Sequence, residues 1–97
     1  MVQATTPTII MELPDTVDLT EAQTVVFTLT QGCTLIQKVI EDAEAQSVSV
    51  YLSQEETLGL RNGNAQIQLN WAYPDGSRAC TNIVTIFVTP NLLKEVI

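Results

Sequence analysis

Apolar residues recur at every second position along most of this chain, and that period decides what it can fold into. The stretch "NAQIQLNWAY" shows it most cleanly: Ala65, Ile67, Leu69, Trp71 and Tyr73 alternate with Gln66, Gln68 and Asn70. Successive side chains of a strand point to opposite sides, so the pattern predicts a strand with one face in a core and one in water. "PTIIMEL" sets Ile9, Met11 and Leu13 against Thr8, Ile10 and Glu12. "TVVFTLT" sets Val25, Phe27 and Leu29 against Thr24, Val26, Thr28 and Thr30, a β-branched outer face. "CTLIQKVI" makes a third strand, and "SVSVYL" a fourth with Val48, Val50 and Leu52 inward. "CTNIVTIFV" is the last long strand, with either Val84, Ile86 and Val88 or Ile83, Thr85 and Phe87 facing in.

The breaks fall between these runs. Pro14 and residues 15–18 end the first strand, Gln31-Gly32 turns the chain, and Glu41, Asp42 and Glu44 mark an acidic loop. Ser53 with Glu56 three residues on is a capping box, which predicts one helical turn closed near Gly59. Arg61-Asn62-Gly63 turns the chain again, and Pro74-Asp75-Gly76 is a hairpin turn because Pro fixes φ and Gly tolerates φ > 0. Six or seven short strands with such spacing predict an all-β, Ig-like antiparallel β-sandwich of about seven strands with one short helical turn. The chain of 97 residues is one domain. Residues 1–6 read as a flexible N-terminal segment, 7–89 as the sandwich, and 90–97 as an apolar C-terminal tail.

Composition narrows the function classes. Apolar residues are 45% and charged residues 15% of the chain, a globular balance, and the few aromatics leave the core to Val, Ile and Leu. The net charge is −7, and the four cations Lys38, Arg61, Arg78 and Lys94 are scattered. Nucleic acids and anionic membranes both need clustered cations, so neither is an expected partner. The first residues lack the basic and apolar regions of a signal peptide, and no apolar run reaches a membrane span. The expectation is a chain made in a cytoplasm, with Cys33 and Cys80 reduced and buried as small hydrophobes.

No catalytic constellation stands out. The chain has no histidine, no Gly-rich phosphate loop and no Cys/His metal spacing, so no enzyme activity, cofactor or metal is expected. Asp15, Asp18 and Glu21 offer oxygens for calcium, but turn initiation and capping account for them without an ion. Glu41, Asp42 and Glu44 read as a solvated loop. Trp71 and Tyr73 share a strand face; exposed, they would be a ligand-stacking platform for a sugar, and buried, they would extend the apolar face of Ile67 and Leu69. Leu92, Leu93, Val96 and Ile97 put large aliphatics in the tail. They read as a partner-binding arm that packs on a neighbour or adds a strand to a sheet edge, or else as a cover for the sandwich itself.

"TPTIIMELPDTVDLTEAQTVVFTLTQ", "SVSVYLSQEETLGL", "AQIQLNWAYPDGSRACTNIVTIFVT" and "NLLKEVI" together resemble small proteins of tailed phages and prophages of Gram-positive gut bacteria. These are similar to the Ig-like N-terminal domain of phage baseplate upper proteins. Asp18-Leu19-Thr20 leading into a strand, the Leu52 to Thr57 turn between sheets, and the Asp75-Gly76 hairpin carry the likeness over nearly the whole chain. Baseplate proteins continue into an oligomerising or receptor-linked region that these residues do not match. The resemblance implies a noncatalytic virion structural or adaptor protein of tail, baseplate or head. Its partners would be other phage structural proteins or further copies of itself, and it would be made in the bacterial cytoplasm and located in the virion. The alternative, resting on Trp71 and Tyr73, is a carbohydrate-binding module for host-surface glycans.

Overall fold

Strands form where the alternation is densest. The computed structural model describes residues 1–2, 5–41 and 43–92. Among them are β1 (Thr8–Glu12), β2 (Thr24–Gln31), β3 (Thr34–Val39), β4 (Ser47–Tyr51), β5 (Gly63–Ala72), β6 (Arg78–Cys80) and β7 (Val84–Val88). A 3-10 turn (Leu19–Glu21) precedes β2, and one helix, α1 (Gln54–Leu58), joins β4 to β5. The strands make the expected all-β antiparallel sandwich. The smaller sheet is β1-β4, and the larger runs β3-β2-β5, with β6 and β7 both on the far side of β5. All strand pairs are antiparallel. The chain changes sheet between β1 and β2, between β3 and β4, and between β4 and β5.

Register follows the apolar pattern. Val25 lies opposite Trp71, Phe27 opposite Leu69, and Leu29 opposite Ile67, all inward. Residues directly opposite share a face, so one correct pairing buries both apolar sets. Met11, Val48 and Val50 of the smaller sheet complete a single core with them. Met1 and Val2 also join the domain: Val2 makes a parallel bridge to Thr89, whose N–H donates to the Met1 carbonyl at 2.7 Å.

The return strand is broken by a bulge. β6 pairs Asn70 with Cys80, whereas β7 pairs Ile67 with Val84. Gln68 and Leu69 therefore face three residues, Thr81, Asn82 and Ile83. The extra residue changes which parity points inward. Ala79 faces in on β6, and Ile86 and Val88 face in on β7, with Val84 on the same side but nearly half exposed. Thr81 bridges the gap. Its hydroxyl accepts from the Leu69 N–H at 3.1 Å, its N–H donates to the Leu69 carbonyl at 2.9 Å, and its carbonyl accepts from Gln68 Nε2 at 2.9 Å.

Both turn signals of the middle region are realised. Ser53 accepts from the Glu56 N–H, and Glu56 reaches back to the Ser53 N–H at 2.9 Å, closing the capping box over α1. Asp18 caps the 3-10 turn by accepting from the Thr20 N–H at 3.0 Å. The cysteines depart from expectation. Cys33 and Cys80 are free but exposed, not buried. Cys33 sits in the β2–β3 turn, and Cys80 lies opposite the outward Asn70, so neither is on a core-facing position.

Candidate functional site

The larger sheet turns one face to the core and the other to solvent, and the outer face has an unusual make-up. Its outward positions are Thr24, Val26, Thr28 and Thr30 on β2 and Leu35, Gln37 and Val39 on β3. Asn64, Gln66, Gln68, Asn70 and Ala72 follow on β5, with Arg78, Cys80, Thr85 and Phe87 beyond. Among these described positions Arg78 carries the one charge, although the chain has eleven carboxylates. The face is hydroxyl and amide along its middle and apolar at its margins. Leu35, Val39, Ile83 and Phe87 are each more than half exposed. Depletion of charge in a patch of otherwise charged surface is the composition of an interface centre.

The acidic groups are elsewhere. Glu12, Asp15, Asp18, Glu21, Glu41, Glu44 and Asp75 all lie on the loops or strand ends at one end of the sandwich. Away from those loops Glu55 and Glu56 open α1, and Glu56 is paired with Lys38 at 2.7 Å. Seven carboxylates at one end of the strands polarise the negative charge along them.

A hollow of about 580 Å³ lies in the half of the outer face nearer the acidic end. Thr24, Val26, Asn70 and Ala72 line its floor, with Val39 on one side and Arg78 on the other. Thr and Ala leave it deep where the neighbouring positions carry larger groups. The Arg78 guanidinium has no hydrogen-bond or ion-pair partner among the described residues.

The edges of this sheet are protected differently. β3 is an open edge, and Lys38 is an inward position on it. Its ammonium donates to the Tyr51 carbonyl at 2.6 Å and meets Glu56 Oε1 at 2.7 Å. An inward charge on an edge strand opposes pairing with another strand, because a neighbour would have to bury it. Contact through the face is therefore easier than contact through this edge.

The residues singled out in the sequence fall in different places. Trp71 is 5% exposed, and its Nε1–H donates to the Tyr73 hydroxyl at 3.1 Å. It packs beside Leu69 because it shares that strand's inward parity, so it presents no ring face for stacking, and Tyr73 is half-buried against it. The stacking platform is thus corrected to a core pair. Leu92 is fully exposed. Leu93, Val96 and Ile97 lie outside the described residues, as does Asp42. Asp15 and Asp18 serve turns, and no group of three metal-ligating side chains occurs among the described residues. Among the described residues no helix is long and apolar enough to cross a membrane.

Sequence reasoning noted the β-branched outer side of β2 but not the uncharged face that it forms with its neighbours. Its signal was present: the polar positions that alternate with the core are Thr, Gln and Asn with no Asp or Glu. Each strand shows only a few of them, and register alone makes them contiguous. Comparison with known families, with characterised proteins and with solved structures gives no match.

Proposed function

We propose that the chain is a noncatalytic contact protein, a structural or adaptor component of a bacteriophage virion in the tail, baseplate or head. The observation that carries the contact role is the uncharged outer face of the larger sheet in a chain of net charge −7. A solvated face in so acidic a protein has no physical need to exclude carboxylates, whereas a face that is dehydrated on assembly does. The exposed Leu35, Val39, Ile83 and Phe87 supply apolar area to bury. The virion setting rests on the sequence resemblance. Other phage structural proteins or further copies of this chain are the partners, and the apolar tail, with the exposed Leu92, is a second contact element. A glycan-binding role loses its support with the burial of Trp71.

The test is incorporation. Thr28→Arg puts a charge in the centre of the face without touching the core. Mass spectrometry of purified phage particles carrying the gene should find the native chain and at least tenfold less of the variant. Equal incorporation would remove the face from the assembly.

A further inference from the structure

We infer that the occupant of the outer face is a second copy of this chain, packed face to face with its strands antiparallel to the first. The inference rests on the reading of that face as a contact surface and names what covers it. It follows from how the side chains are laid out.

Gln37, Thr28 and Gln68 form a row straight across β3, β2 and β5. A two-fold axis along that row brings each outward position on one side of it over a position on the other side in the partner copy. Val39 then meets Leu35, Asn70 meets Gln66, and Arg78 meets Phe87. Aliphatic falls on aliphatic, amide on amide, and the unpaired cation on an aromatic ring, a favourable cation–π pairing. On the axis the amides of Gln37 and Gln68 meet their own copies, each offering both donor and acceptor. Phe87, 54% exposed, is a knob, and the hollow beside Ala72 and Arg78 is its hole. Such self-complementarity is what an isologous interface requires. Packed sheets cross at about 30°, a tilt that the long Arg, Gln and Phe side chains can span.

Area and charge agree. Four strand positions about 4.8 Å apart and a ten-residue β5 give a face of about 19 by 33 Å, about 600 Å² before side-chain relief. A specific interface takes about 600–1,000 Å² from each partner. The antiparallel arrangement lays the acidic end of each copy beyond the opposite end of the other. The two negative clusters then stand several Debye lengths apart, about 8 Å each at physiological salt. A parallel arrangement would stack them.

Sedimentation equilibrium on the full chain tests this, with a dissociation constant below about 100 µM expected. Thr28→Arg should raise that constant at least tenfold while leaving the circular dichroism spectrum and melting curve of the monomer unchanged. Leu35→Lys and Val39→Glu should each weaken association about tenfold. The double variant should recover it to within about threefold, because each new Lys meets a new Glu of the other copy. Within one chain the two positions are about 13 Å apart and cannot pair. A chain that stays monomeric at about 1 mM, or a double variant no better than the single ones, overturns the second copy as occupant. If the chain is monomeric yet Thr28→Arg is still kept out of particles, the face belongs to a different protein and the contact reading stands. If the variant also enters particles normally, both fail.

Discussion

Lys38 shows how one residue can serve stability and specificity together. The alternation of β3 points it inward, where an aliphatic would pack more simply. It instead links the two sheets through the Tyr51 carbonyl and Glu56. Burial pushes the Glu56 carboxyl up, but the hydrogen bonds from Lys38 and from the Ser53 N–H, with the nearby positive charge, outweigh it and hold the group below its ordinary value of 4.5. A carboxyl lowered in the folded state contributes stability that is present above the unfolded value and lost as the pH falls through the folded one. Lys38→Met removes the part of that contribution that Lys38 supplies and leaves the Ser53 hydrogen bonds in place. The urea midpoints of the two proteins should therefore differ most near neutral pH and draw closer as the pH falls through the ordinary carboxyl value of 4.5 and below it. A gap that stays constant across that range would show that the pair does not couple to folding. Asp75 is also held below the usual carboxylate range, by the Ser77 hydroxyl and N–H, but in an exposed hairpin turn. There the hydrogen bonds shape the turn in which Gly76 takes φ of 90°.

At the scale of the element, the bulge between β6 and β7 decides the far side of the larger sheet. Without it, the parity that faces Ala79 inward would bury Thr85 and Phe87 and expose Val88. The bulge keeps Val88 in the core and leaves Phe87 on the outer face. The cost is a gap in the ladder opposite Leu69, which is fully buried. The Thr81 hydroxyl fills that gap by accepting the Leu69 N–H. Thr81→Val keeps the shape and removes the acceptor, so it should destabilise the fold by about 1–3 kcal/mol. Hydrogen exchange of the Leu69 amide should speed up more than that of its neighbours Ile67 and Trp71. Unchanged exchange at Leu69 would mean that the hydroxyl does not carry the bond. The capping box of α1 was legible from Ser53 and Glu56 alone, because both partners lie within four residues. The bulge was not, because it depends on how two strands meet.

For the whole molecule, the charge is the dominant long-range feature. Seven acidic side chains crowd one end, with Arg78 the described cation nearest them on the strands. Their mutual repulsion is relieved by unfolding, so screening should stabilise the folded chain. Raising sodium chloride from about 10 to 200 mM should raise the melting temperature by about 2–5 °C, equivalent to under 1 kcal/mol for a domain of this size. The measurement belongs in the Thr28→Arg background at fixed protein concentration, since self-association shifts melting by mass action. A melting temperature independent of salt would show that the loops keep these charges too far apart to interact.

The sequence by itself determined most of the strands, the inward sets of β1, β2, β4 and β5, and the turns. These depend on a period of two and on local chemistry carried by residues such as Pro74, Gly76 and Ser53. It also determined that the core would be aliphatic, and the inward parity of β5 was enough to favour a buried Trp71. Only the tertiary structure decided the partners of each strand, the parity of the return strand after Thr81, and the outward placing of Cys80. It alone gathered scattered Thr, Gln and Asn residues into one uncharged face and the carboxylates onto one end. The physical reason is that parity is a property of one strand, while a face is a property of register among several, fixed by contacts between residues far apart in the chain.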